Sequence, residues 1–365
     1  AVVGLTADSA EFAARDGATL TDVSARDLGL TAGGDVAATS LTAETARLAA
    51  GGDLALAGFA GGGLEASAGR DAEASGVLAD AARFEAGRDM RLTDLETTGP
   101  ETPRLAAAAG DLAVIAGRDA TLTRVAFRDA TVVAGAALSL TEARGETLDA
   151  RSATLAGADL TIGAAGFAAT GGATLVRIAA GSLSVEAGGD LALSQGGFAS
   201  AALIADGAMT LAGLTGGELT AAAGLNLSAT DVDLAGATLV SGGDATLLRI
   251  EAGRLGLSAG GTAEVSETAF VEATLAAGET LRLRGLAGTT LDARAGTLDA
   301  ADIAAETAGF EAAGDAILTR IAAGSLGLDA GGDARVTDSG FAAASLSAEG
   351  ALTLAGLAGG DLIGA

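Results

Sequence analysis

Carboxylates at a fixed spacing are the first chemistry this sequence offers. The tetrapeptide AGGD, or a close variant, ends at Asp35, Asp53, Asp71 and Asp89, at an even interval. On successive turns of a coil of that length they form a ladder, and stacked carboxylates attract a hard cation such as calcium. Two observations favour a turn role instead. The GGxGxDxUx signature of calcium-binding β-rolls is absent, and Asp beside a glycine turn commonly bonds its own backbone. Arg70, Arg88 and Arg118 directly precede such aspartates and offset their repulsion. The four aspartates stay candidates for ion binding, with turn structure the favoured reading.

Other constellations are sparser. Asp231 and Asp233 are the nearest pair for two-carboxylate glycoside hydrolysis, but no Trp or Tyr exists to form a sugar platform. Thr19, Thr174 and Thr246 share one place in the repeat, whereas Ala37, Ala55 and Glu73 fill it in between, so no unbroken threonine rank for ice binding results. Arg177, Arg249 and Arg320 recur at 71- to 72-residue steps, with Asp22 and Asp94 in the equivalent place. They read as a solvated face, or else as a docking stripe.

Composition excludes much of the rest. The chain has 365 residues, a formal net charge of -26, and no His, Cys, Trp or Tyr. Lys is absent and Asn226 is the single Asn. There is therefore no thiolate or imidazole for catalysis or metal binding, and no lysine for a Schiff base or a P-loop. A phosphate backbone would be repelled, so nucleic acid is not an expected partner. No apolar run of about 18 residues suggests membrane insertion, and the opening AVVGLTADSAEFAARDG lacks a signal-peptide pattern. No enzyme activity, catalytic residue or cofactor is predicted.

The elements that hold these residues follow from the repeat. Counting the AGGD aspartate as position 1, the unit returns at Asp119, Ala137, Asp190, Ala208, Asp244, Thr262, Asp315, Asp333 and Ala351. The gaps are multiples of 17 to 18, with one 19-residue unit. Aliphatic residues occupy positions 4, 7, 12 and 14, a small residue position 16, and glycines positions 17 and 18, as in DATLLRIEAGRLGLSAGG from Asp244. Alternation at 12 and 14 is strand-like, and frequent glycine opposes helix. A super-repeat of about 72 residues lies above the unit: Phe127, Phe198, Phe270 and Phe341 are 71, 72 and 71 apart.

These features predict an all-β parallel β-helix solenoid, right-handed in preference to left-handed, with about 18 residues per coil and a four-coil super-repeat. Residues 1–365 form a single rod of 19 to 20 coils, roughly 95 Å long at about 4.8 Å per coil. A lone coil cannot offset its ordering entropy, so coils must stack. A 12-residue excess between Asp89 and Asp119 maps to residues 96–107 (ETTGPETPRLAA) and holds both prolines. It predicts a loop extruded from one coil, with Pro100, Pro103 and Arg104 as a possible interaction surface.

Units such as SLSVEAGGDLALSQGG, AGGDLALAG and ALTLAGLAGGDL resemble the haemagglutinin-type repeats of filamentous haemagglutinin-like exoproteins, the secreted partners of two-partner secretion systems. The resemblance spans essentially the whole chain. It implies a right-handed β-helical shaft, an extracellular or bacterial cell-surface location, and an outer-membrane secretion partner. The N-terminal secretion domain and C-terminal effector of such proteins are not in this sequence, and its near lack of Asn departs from the group. Ala1 aligns with position 3 and Ala365 with position 15, without capping sequences. The expectation is that other copies, or further β-helical repeats, adjoin both ends. The functional expectation is a structural shaft in an adhesin-like fibre. A self-assembling filament subunit and a binding module using the 96–107 loop are the alternatives.

Overall fold

The computed structural model describes residues 1–97 and 110–364, the side chain of Thr97 excepted. Contacts divide the chain into two compact units, Ala1–Glu186 and Ala187–Ala365. Each is a parallel β-solenoid with about 18 residues per turn, and about 19 turns are present in all. No helix occurs among the described residues.

In the first unit Ala18–Ala32, Val36–Ala50, Leu54–Ala68 and Ala72–Ala86 pair residue for residue at a step of 18: Leu20 with Ala38, Ala38 with Leu56, Leu56 with Ala74. Met90 pairs with Ala120, so the ladder closes across the inserted segment. Glu96 and Thr97, counted into the insertion on sequence, are strand residues that pair with Leu78 and Ala79. Pro100, Pro103 and Arg104 lie outside the described residues. Ala137–Ser152 meets Thr154–Ala169 at a step of 17.

In the second unit Met209–Ala223, Leu227–Ser241 and Ala245–Ala259 repeat the step of 18, and Ala245–Ala259 passes it on to Ala263–Ala312. The corner residues described below recur at steps of 18 or 17 along both units, apart from the inserted turn. Among the described residues no coil has the 19-residue step expected from the AGGD gaps. Strand pairing sets the register, and the AGGD count blurs where another residue replaces the Asp.

The core is wider than the four aliphatic positions suggested. In Val36–Ala50 the residues Val36, Ala38, Leu41, Ala43, Ala46, Leu48 and Ala50 are all buried, which makes positions 2, 4, 7, 9, 12, 14 and 16 inward. Strand alternation breaks twice, between 4 and 7 and between 9 and 12, where two outward residues follow one another. Two such breaks and the glycine turn divide each coil into three straight segments around one apolar interior. At the glycine turn the coils approach closely: a Cβ on Gly51 or Gly69 would run into the carbonyl of the glycine one coil earlier.

The phenylalanines explain their own period. Phe127, Phe198, Phe270 and Phe341 all occupy position 9, and one coil later that position is glycine: Gly145, Gly216, Gly288 and Gly359. A Cβ on Gly145 or Gly288 would strike the ring of Phe127 or Phe270, and on Gly359 it would lie 2.6 Å from the Phe341 ring. On Gly216 it would meet the Phe198 carbonyl. The rings of Phe127, Phe270 and Phe341 are accommodated because the next coil gives up its side chain at that point, which is how a narrow interior keeps native packing density.

Candidate functional site

Two rails of charged side chains run along the coils, and both were visible in part from sequence. The first is the aspartate ladder. Asp35, Asp53, Asp71 and Asp89 do stack, but their side chains do not close on their own turn. Asp35 Oδ1 accepts the backbone N–H of Asp53 at 2.9 Å, Asp53 Oδ1 that of Asp71 at 3.2 Å, and Asp71 Oδ1 that of Asp89 at 3.3 Å. Each carboxylate thus ties its coil to the next. In the second unit Asp190, Asp244, Asp315 and Asp333 act in the same way. Asn226 takes this place too, its Oδ1 accepting the N–H of Asp244 at 3.0 Å. That explains the one Asn in the chain: the bond needs a carbonyl-type oxygen, not a charge.

The arginines before these aspartates fulfil the expected compensation. Arg70 Nη2 donates to Asp35 Oδ1 and Asp53 Oδ2, both at 2.9 Å, and so spans two coils. Arg88 holds Asp71 by two bonds at 3.0 and 2.5 Å, and Arg118 holds Asp89 at 3.1 and 2.9 Å. The N–H of Asp53, followed by Arg70, holds the Asp35 carboxyl below its ordinary range, and Arg88 does the same for Asp71. Among the described residues no group of three or more acidic side chains is arranged to hold a metal ion. The oxygens that would face a cation are instead engaged by backbone N–H groups and guanidinium groups.

The second rail is position 6, and its geometry was not legible. Every corner residue there has positive φ: Gly4, Asp22, Ser40, Gly58, Gly76, Asp94, Arg124, Glu142, Asp159 and Arg177 in the first unit, with φ from 52° to 79°. The second unit continues with Gln195, Gly213, Asp231, Arg249, Glu267, Gly285, Asp302, Arg320, Asp338 and Gly356. The left-handed region costs an L-residue roughly 1–2 kcal/mol, yet most coils fill it with polar side chains. For eight of these residues a compensation lies between coils. Arg124 clasps Asp94 at 2.5 and 3.2 Å, Arg177 clasps Asp159 at 2.5 and 2.7 Å, Arg249 clasps Asp231 at 2.5 and 2.9 Å, and Arg320 clasps Asp302 at 2.6 and 2.7 Å. These are two-pronged guanidinium–carboxylate pairs. Each arginine holds its aspartate below the ordinary carboxyl range. An acid one coil beyond, Glu142, Glu267 or Asp338, adds to the field that raises the arginine.

The recurring arginines singled out in the sequence are therefore half of a pairing device. The sequence signal that could have revealed it is an Asp in the same place one coil before each Arg. The same geometry leaves Asp231 unsuited to the acid's part in a pair with Asp233. Both oxygens of Asp231 bind Arg249 and its carboxyl is held ionised, whereas a general acid needs a raised pKa.

One open groove of about 730 Å³ follows the aspartate ladder in the first unit, lined by Asp35, Asp53, Asp71, Asp89 and Asp119 and by the residues beside them, Thr19 to Thr121. Thr19, Ala37, Ala55 and Glu73 line it in that order, so its wall changes character from coil to coil.

The class of protein that fold and rails together define is a parallel β-solenoid whose polar side chains tie coil to coil. No protein-family model, curated protein or solved structure matches the chain.

Proposed function

We propose that this chain is a structural protein, the β-helical shaft of an adhesin-like extracellular fibre on a bacterial surface. One observation carries the reading: the stacked aspartates and the recurring arginines that could have done chemistry are engaged between neighbouring coils. Asp35 to Asp89 bind the next coil's backbone, and Arg124, Arg177, Arg249 and Arg320 bind an aspartate of the coil before. Such a device resists slippage and opening of coils, which is the requirement on a mechanical spacer. The proposal includes right-handed winding and a four-coil super-repeat of about 72 residues, and it involves no catalytic step. The net charge of -26 keeps like shafts soluble and apart. In this reading the shaft adjoins further repeats of its kind and leaves the cell through an outer-membrane secretion partner.

Excising one super-repeat tests it. Deletion of residues 231–301 joins one Asp–Arg corner phase to the next. A shaft keeps its β-sheet circular dichroism and shortens by about 19 Å in electron micrographs, four coils at about 4.8 Å. Loss of folding, or globular particles of unchanged length, refutes it.

A further inference from the structure

We infer that Asn226 is an N-glycosylation site: its Nδ2 carries a sugar transferred from a diphosphate-activated donor, and that sugar covers Leu225. The inference goes beyond the shaft reading and does not rest on it. Asn226 is the only Asn in the chain, and Leu227 and Ser228 complete the acceptor triplet Asn-X-Ser, with X other than proline.

The bond to the next coil admits an asparagine here without selecting one. Asn226 Oδ1 accepts the Asp244 N–H at 3.0 Å, whereas Asp190, Asp244, Asp315 and Asp333 make the same bond with a carboxylate at 2.8 to 2.9 Å. Relief of charge does not select it either. Asp315 and Asp333 stand on successive coils with glycine, not arginine, directly before each. What asparagine adds to aspartate is Nδ2. The residue is exposed, and its Nδ2 finds no acceptor among the described residues.

Leu225 is a second exception at the same turn. Elsewhere the residue before position 1 is a glycine, an alanine or a charged residue. Leu225 is 58% exposed. It is bonded through its backbone to Gly207 and Gly243, one coil to either side, and neither has a side chain to cover it. A sugar ring has an apolar C–H face. Attached to the adjacent residue, it removes this leucine from water. The one bulky aliphatic side chain in the turn and the one acceptor amide in the chain are thus neighbours.

The transfer forms a bond from Nδ2 to the anomeric carbon of the sugar and breaks that carbon's bond to the donor's phosphate oxygen. The diphosphate leaves, and Nδ2 gives up a proton. The donor is a nucleotide- or lipid-linked diphosphate sugar, and a cellular transferase catalyses the step. Oδ1 remains a carbonyl oxygen, so the bond to Asp244 is kept. Leu227 faces the core, so transfer precedes the winding of this coil, and the fold then holds the sugar outside.

The experiment is mass spectrometry of the full chain isolated from the cells that make it, with fragmentation to locate the adduct. The mass should exceed that of the bare chain, with the excess on Asn226; a single sugar marks a nucleotide donor and a preassembled oligosaccharide a lipid donor. Asn226→Gln and Ser228→Ala should lose the adduct and Ser228→Thr should keep it, with circular dichroism confirming that all three fold. Ser228→Ala should also lower the urea midpoint of the cell-derived chain, but not of chain synthesised without sugar donors, and Leu225→Gly should remove that difference. An unmodified Asn226 in the cell-derived chain overturns the inference. So does an adduct that persists in Asn226→Gln, which would place the sugar on a hydroxyl. A midpoint difference unchanged by Leu225→Gly overturns the covering of Leu225.

Discussion

Replacing Gly145 by alanine should destabilise the protein in proportion to the ring beneath it. A Cβ at Gly145 would lie 3.0 Å from Phe127 Cζ, and closer still to Cε2 and Cδ2, where ordinary contact begins at 3.4 Å. Gly145 is not among the residues of positive φ, so its backbone admits alanine, and the ring is the obstacle. Phe127 is 1% exposed and cannot swing into solvent without leaving a hole. Overpacking of this kind costs about 1–3 kcal/mol. Without the ring the sign reverses, because alanine in an extended strand is favoured over glycine by about 0.5–1 kcal/mol. Phe127→Leu alone should destabilise through lost packing, and Gly145→Ala added to it should then be neutral or stabilising. The coupling between the two sites should be about 1–3 kcal/mol, inside the range for residues in contact. Urea denaturation followed by circular dichroism, on the four members of the cycle, measures it. Because stacked repeats can unfold in stages, amide exchange in Ala137–Ser152 provides a local readout. A Gly145→Ala cost that is unchanged in the Phe127→Leu background would refute the knob-and-vacancy account of the 72-residue phenylalanine period.

Ser152 is buried with its Oγ unpartnered, whereas the Ser241 Oγ lies 2.7 and 2.8 Å from the carbonyl oxygens of Leu225 and Asp244. Ser152→Ala should therefore be neutral or stabilising, and Ser241→Ala should cost about 0.5–1.5 kcal/mol in a urea melt. Asn226→Asp should keep the bond to the Asp244 N–H and Asn226→Ala should lose it, at about 1 kcal/mol, with protection of the Asp244 amide in hydrogen exchange as the check. Ser40 sits at φ 53°, and Ser40→Gly should raise the melting midpoint by relieving up to about 1 kcal/mol, the reverse of the usual effect of glycine in a strand. The carboxyls of Asp94, Asp159, Asp231 and Asp302 are held below their usual value of 3.8 by their arginines. On acidification the unfolded chain takes up those protons first, so this contribution is complete above the ordinary carboxyl range and disappears as pH falls through the lowered folded values. Thermal midpoints followed downward from pH 5 should show that loss, and Arg249→Gln should reduce it.

Much of this protein could be read from its residues. The regular step of the repeat, the glycine turn and the alternating aliphatics required stacked parallel strands, because no single coil of this composition can hold itself together. The equal spacing of Phe127, Phe198, Phe270 and Phe341 already marked one column of the core. Pairing decided the rest. Position 6 looked like a solvated face, since alternation along one coil cannot show that two outward residues in succession form a left-handed corner. The aspartates looked like caps of their own turns, since the N–H groups they bind belong to the next coil. Arg249 looked like part of that face, or of a docking stripe, until winding set it over Asp231. A sequence fixes which side chains can face inward through local sterics and hydrophobicity, but a bond between coils exists only once strand register brings residues from different turns into contact.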